Sequence, residues 1–252
     1  MDADAVAQAA NILIAARTRG GPLAERLAPA SRPSSIAEAE AVQRAIVARL
    51  KDRIAGWKVA ISPEFGVMRG AILASRLFSS EATVDASLVP GLGIEAEIAF
   101  RCDRDLPPRA TDYADAELRR SVTALVGIEI VDSRFREGTA IPAIERAADF
   151  MSNGGFVVGQ ARDDWRDIDL AALAVSVVIG GKTVVDRKVG GHASKDPFAP
   201  FIALANALRL TSGLLAGQIV TTGTYMGVVH AKSGDHVEVV FDGFGRAGIR
   251  FG

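Results

Sequence analysis

Apolar residues recur at helical spacing through the first fifty positions and at alternating spacing through much of the remainder. Val6, Ala9, Ala10, Leu13 and Ala16 share one face of a helix over residues 4–18, which Gly20-Gly21-Pro22 should end. Ser35-Ile36-Ala37-Glu38 is a capping-box pattern, the hydroxyl serving one orphan amide and the Glu reaching back. It opens a second helix to about Arg53, with Val42, Ile46 and Leu50 on the buried stripe. After Gly56 the period changes, and Trp57 to Ile61 reads as a short strand. From there to Leu88 the pattern is irregular and rich in Gly and Ser, a stretch expected to loop over a site.

Pro90-Gly91-Leu92-Gly93 turns the chain into a strand, Ile94 to Phe100, and a short helix over 112–120 leads to a second, Leu125 to Asp132. Another strand runs from Phe156 to Gly159. Val175 to Ile179 and Thr183 to Asp186 flank Gly180-Gly181, a two-residue hairpin signal. Asp196-Pro197 predicts an N-cap with proline at the first helical position, for a helix carrying Phe201, Leu204, Ala205 and Leu208 inward and stopping near Gly213. Strands follow at Gln218 to Thr222, Val237 to Phe241 and Ala247 to Phe251. Helices first, then mostly strands, argue for an α+β fold with a mixed or antiparallel sheet. We read residues 1–252 as a single domain, with a helical part at 1–55 and a β-rich core at 56–252.

Composition narrows the function classes. Net charge is −1 with no basic cluster, so nucleic acid is not an expected partner. Cys102 is the only cysteine, which excludes an internal disulfide and points to a reducing compartment. Met1-Asp2-Ala3-Asp4 is acidic where a signal peptide would be basic, and no apolar run approaches the roughly 20 residues of a membrane span. The expectation is a cytoplasmic protein.

The two strands from Ile94 and Leu125 carry acids where apolar side chains belong. In Ile94-Glu95-Ala96-Glu97-Ile98, Glu95 and Glu97 share one face, about 7 Å apart along it. Glu129 lies within the apolar run Leu125 to Val131. Such carboxylates are expensive to bury unless paired or bound to a cation. Three of them, with no nearby basic residue in the sequence, suggest a hard divalent metal held by oxygen. A polar strand edge, or a salt bridge from Glu129 to Arg134, is the alternative; Asp132 falls on the opposite face from Glu129. Lone histidines at 192, 230 and 236 show no metal-ligand spacing and read as surface or structural residues. Cys102 lacks a His partner at a known spacing, and no Gly-x-Ser-x-Gly elbow or phosphate-binding glycine loop is present.

The order of motifs resembles the fumarylacetoacetate hydrolase superfamily, in its 2-keto-4-pentenoate hydratase and 4-oxalocrotonate decarboxylase branch. The matching segments are Gly56-Trp57-Lys58-Val59-Ala60, Gly93 to Phe100, Glu129 to Arg134, Ala148 to Gly154, Gly217 to Thr224, and Ser233-Gly234-Asp235. They extend from about residue 35 to the end. The resemblance implies a mixed β-roll or sandwich with flanking helices, and a Mg²⁺ or Mn²⁺ ion held by Glu95, Glu97 and Glu129. It further implies that Lys58 moves protons or binds the substrate carboxylate, and that Thr224 and Ser152 contact substrate. Two departures stand out: Leu73 to Leu77 replaces an acidic segment of relatives, and Phe150 stands where they have Asn.

The activity implied is hydration of a 2-hydroxy-alka-2,4-dienoate to a 4-hydroxy-2-oxo acid in aromatic-compound catabolism. Decarboxylation of a 2-oxo-dioate, hydrolysis of an acylpyruvate, and a non-catalytic partner subunit are the alternatives. Arg69, Arg76 and Arg134 could each meet a distal carboxylate. A homo-oligomer, alone or with a related hydratase or decarboxylase subunit, is also implied. Lys58 could instead be a snorkelling lysine beside Trp57, and Thr224 could simply cap its turn.

Overall fold

The computed structural model describes residues 1–18, 25–136 and 138–252. The expected helix stop at Gly20-Gly21-Pro22 lies outside them. Two long helices come first, α1 (Ala3–Thr18) and α2 (Ile36–Leu50). Ser35 caps α2 by accepting from the Glu38 amide, but Glu38 reaches Ser34 rather than the cap residue, so the box is offset by one position. Lys51 ends the helix in the left-handed region, at φ 53°.

The segment expected to be irregular is instead largely strand. After β1 (Ile54–Ser62) come β2 (Gly66–Leu73), β3 (Leu77–Ser79) and β4 (Ala82–Val84). The two acid-bearing strands are β5 (Gly93–Cys102) and β6 (Val122–Val131), joined through the short helix α3 (Asp115–Arg119). Helix α4 (Ala143–Ala148) and β7 (Asn153–Arg162) follow, then the hairpin of β8 (Ala174–Ile179) and β9 (Lys182–Val189) around Gly180-Gly181. Helix α5 (Ala199–Leu208) starts later than Asp196-Pro197 predicts. Asp196 still serves its entry, accepting from the Phe198 amide, while Pro200 takes a first-turn position. The chain closes with β10 (Ile219–Thr224), β11 (Val229–His230), β12 (His236–Phe241) and β13 (Gly245–Phe251).

Two sheets result. The larger runs β2-β1-β10-β5-β6-β7-β3, with β11 on β5; the smaller runs β4-β13-β12-β8-β9. Pairing is mixed: β1 with β10, β3 with β7, and β4 with β13 are parallel, the rest antiparallel. This is the expected α+β class with curled mixed sheets. Alternation explains where the core sits. Ile94, Ala96, Ile98 and Phe100 of β5 and Ile128 and Ile130 of β6 point to the layer shared with the small sheet and α5. Helices α1, α2 and α4 close a second cluster over β2, through Leu13, Val42, Ile46, Met68 and Ile144. The opposite face of β5 and β6 is thereby left for the acids.

Candidate metal centre

Antiparallel pairing sets Glu95 of β5 directly opposite Glu129 of β6, and Glu97 opposite Gly127. A carboxylate oxygen from each of Glu95, Glu97 and Glu129 lies within 4.8 Å of one from each of the others. Glu97 and Glu129 are fully buried, and Glu95 is 8 % exposed. On the other side of β5, β10 and β1 place Thr221 beside Lys58. Four adjacent strands thus converge on one point.

The basic residue that the local sequence does not show comes from β1. Lys58 Nζ lies 2.9 Å from Glu129 Oε1 and 3.5 Å from Glu95 Oε2. Burial opposes its charge, but the carboxylates of Glu129, Glu95 and Glu97 outweigh that and hold the ammonium above its ordinary value. The snorkelling alternative does not hold, since the ammonium points into the acids. Arg134 is not the partner of Glu129 either: it binds Asp149 at 2.6 Å and Asp132 at 2.9 Å.

Each acid is oriented by neighbours. Glu97 Oε2 accepts from the Thr221 hydroxyl and, at 3.1 Å, from the Gly223 amide. Glu129 Oε1 accepts from Asn153 Nδ2 at 3.1 Å, and the Asn153 carbonyl in turn accepts from Arg134 at 3.0 Å. Thr221 and Asn153 were within matched segments yet carried no assigned role, because their function depends on cross-strand register. Glu97 Oε1 and Glu129 Oε2 are buried with no hydrogen-bond partner among the described residues. Burial first, then the Glu129 and Glu95 charges, push the Glu97 carboxyl well above the usual range. Burial also raises Glu95, with Lys58 pulling it down and Glu129 up. Three carboxylates against one ammonium leave two negative charges and two unused buried oxygens. That donor set fits a hard divalent cation bound through oxygen.

Glu95 and Glu97 open into a cavity of about 360 Å³, lined also by Lys58, His192, Ser194 and Thr222 to Thr224, with Ala60, Ile61 and Pro200 as apolar wall. His192, which the sequence marks only as a surface or structural residue, therefore lines the site. Thr224 also lines it, but its hydroxyl accepts from the Met226 and Gly227 amides at 3.2 Å and so caps its own turn. Ser152 lies elsewhere, in a second cavity of about 440 Å³ beside Asp132 and His230. The structure does not bring it to the acid cavity. Nor do the three arginines proposed for a distal carboxylate line that cavity: Arg69 binds Glu40, Arg76 binds the Leu88 carbonyl, and Arg134 is paired as above. Cys102 is a buried free thiol, raised to about 12 by burial and then by Asp103 and Asp105, and so is inert.

Solved structures share the curled mixed sheets. The 4-oxalocrotonate decarboxylase from Pseudomonas putida G7, complexed with magnesium and adipate, superposes with a TM-score of 0.83 at 22 % identity, covering 100 % of this chain and 98 % of that one. No family model matches the chain. Curated relatives include 2-keto-4-pentenoate hydratase 1 of Dechloromonas aromatica (strain RCB), 34 % identical over 97 % of this chain and 96 % of the relative. The 2-hydroxyhexa-2,4-dienoate hydratase of Comamonas testosteroni is 30 % identical over 62 % of this chain and 59 % of its own length. The chain belongs to the 2-keto-4-pentenoate hydratase family.

Proposed function

We propose that the protein is a divalent-metal-dependent hydro-lyase that adds water to a 2-hydroxy-alka-2,4-dienoate, giving a 4-hydroxy-2-oxo acid. The observation that carries this is the buried trio Glu95, Glu97 and Glu129, with two oxygens unused and a lysine beside them. Those three residues hold the ion, Mg²⁺ or Mn²⁺. Bound there, it supplies a Lewis acid for the carboxylate and keto oxygens of a 2-oxo acid.

The chain's own residues do the rest. Lys58, kept charged by its neighbours, donates a proton from Nζ as the dienol is converted to its keto form. Thr221 and Asn153 fix the Glu97 and Glu129 carboxylates so that neither swings toward substrate. Ala60, Ile61 and Pro200 offer an apolar wall to the hydrocarbon end. Thr224 contributes cavity wall, whereas Ser152 lines the other cavity.

A 2-oxo-dioate decarboxylase is the second reading, favoured by the fold of the Pseudomonas enzyme. Against it, no arginine lines the acid cavity among the described residues, and its one lysine is bound to carboxylates. A second substrate carboxylate would find no free cation there. Incubating the protein and Mg²⁺ with 2-hydroxypenta-2,4-dienoate and with 4-oxalocrotonate, and following products by NMR, separates the two. The reading expects 4-hydroxy-2-oxopentanoate from the first and no CO₂ from the second; CO₂ release alone would reverse it.

A free buried thiol suits the cytoplasm. We also propose a homo-oligomer, alone or with a related hydratase or decarboxylase subunit. Strand β9 supports it as a sheet edge with Val184 and Val189 exposed. No helix among the described residues is long and apolar enough to cross a membrane.

A further inference from the structure

Away from the acids, the structure gathers positive charge without a counterion. The carboxyl ends of α1 and α2 and the turn after β2 meet around a cavity of about 700 Å³, which shares no lining residue with the acid cavity among the described residues. Arg17, Lys51 and Arg76 line it, against a single described acid, Asp52. That acid is committed elsewhere: its Oδ2 accepts from the Ser75 hydroxyl at 2.5 Å and its Oδ1 from the Arg53 amide at 2.7 Å.

The two arginines have carbonyls for partners, not carboxylates. Arg17 stands in the last turn of α1 with its guanidinium over the Phe150 ring, 5.4 Å from the centroid. Its one hydrogen bond among the described residues is long, 3.4 Å to the Asn153 carbonyl, which Arg134 already holds at 3.0 Å. Arg76 donates to the Leu88 carbonyl at 2.7 Å and to no other described group. Asp132 attracts both arginines and Asp149 attracts Arg17, yet each aspartate is bonded to Arg134. A guanidinium carries five N–H donors, and taking it out of water without an anion is costly. Burial, reinforced by Arg134 and Arg76 against the pull of the aspartates, brings Arg17 down to about 9, and burial likewise lowers Arg76. Lys51, in the left-handed turn that ends α2, adds a third cation. The carbonyl ends of the two helices offset part of this charge, but a dipole end is no carboxylate. Three cations against one acid leave the lining with two positive charges.

We propose that this cavity binds a small divalent oxyanion, a dicarboxylate or a phosphate, through the Arg17 and Arg76 guanidinia, with Lys51 as the third cation. The planar forks suit the paired oxygens that both kinds of anion present. Leu50 and Leu73 add an apolar stretch of wall, which the methylenes of a dicarboxylate would cover and inorganic phosphate would not. Neither arginine lines the acid cavity, so the site stands whichever substrate the metal centre takes.

Titration calorimetry of the full chain with Mg²⁺, in a chloride buffer, tests this with succinate, inorganic phosphate and acetate as probes. Succinate, phosphate or both should bind, and acetate should bind at least about 10-fold more weakly. Arg17→Gln and Arg76→Gln should each weaken the bound dianion by about 10- to 100-fold. Arg17→Lys keeps the charge and should retain more of the binding than Arg17→Gln, which separates a lost contact from a lost fold. A dicarboxylate can also meet a metal ion at the acid trio, so the titration is repeated in Glu97→Gln, where binding at the arginines should persist. Succinate alone assigns the site to dicarboxylates, and phosphate alone to phosphates. Binding of neither dianion at about 10 mM overturns the proposal, as does binding that both arginine variants leave intact or that Glu97→Gln abolishes.

Discussion

Burying Glu97 and Glu129 with one oxygen each unsatisfied is costly, and this supports the metal-binding role proposed for them more firmly than their spacing does. Glu97→Gln removes a ligand charge and also a charge the fold holds at a loss. We expect Mg²⁺ affinity by calorimetry to drop at least about 100-fold, while the metal-free variant melts above the metal-free wild type. A lower melting temperature would mean that Glu97 is a structural partner of Lys58. For Lys58→Met, kcat should fall by about 100- to 10,000-fold while Mg²⁺ binding is unchanged or tighter, since a competing cation is gone. Weaker Mg²⁺ binding in that variant would contradict the placement. The pH dependence has a definite sign. Glu97 and Glu95 titrate above their ordinary 4.5, so their contribution to metal-free stability is full below 4.5 and is lost as pH rises through the folded values. A divalent ion competes with those protons. The Mg²⁺-induced rise in Tm should therefore be larger at about pH 8 than at about pH 5.5, as scanning calorimetry would show.

Strands carry this site, and their tolerance for change is narrow. Gly127, the cross-strand neighbour of Glu97, leaves room for the Phe156 ring; a Cβ there would lie 2.1 Å from its tip. Gly127→Ala should lower unfolding free energy by about 1–3 kcal/mol in urea titrations, and an unchanged midpoint would show that the ring moves freely. Asp149→Asn strips Arg134, 2 % exposed, of one of its two carboxylates and should lower stability by about 3–5 kcal/mol in the same assay. The acid strands were legible because a Glu inside an apolar run breaks the pattern that burial demands. Strand β2 was not: Arg69 and Gly70 interrupt its alternation. Gly70 is there because a Cβ would lie 2.1 Å from the Phe150 carbonyl, a contact between distant segments. Strands β3 and β4 are three residues each and form only by parallel pairing with β7 and β13. Residues 150 to 152 all adopt left-handed φ, between 51° and 64°, which no pattern in Phe150-Met151-Ser152 announces and which carries Ser152 toward the second cavity.

Over the whole molecule, the site is a product of chain crossing. Lys58, His192, Thr221 and the three glutamates come from five separate stretches that only the sheet order β1-β10-β5-β6 and the loop ahead of α5 bring together. A lone His in a Gly-rich loop has no local signature, and His192 is visible only once its loop is seen to line the cavity. Helices α1, α2 and α4 lie apart from the acids, covering β2 through their own apolar cluster. The central claim, that the three buried carboxylates hold the ion that hydration requires, is tested most directly by stopped-flow absorbance of 2-hydroxypenta-2,4-dienoate. The assay is run with Mg²⁺, with chelator, and with Glu97→Gln. The account predicts rapid loss of the dienol signal in the first case only. Equal loss with chelator present, or in the variant, would contradict it.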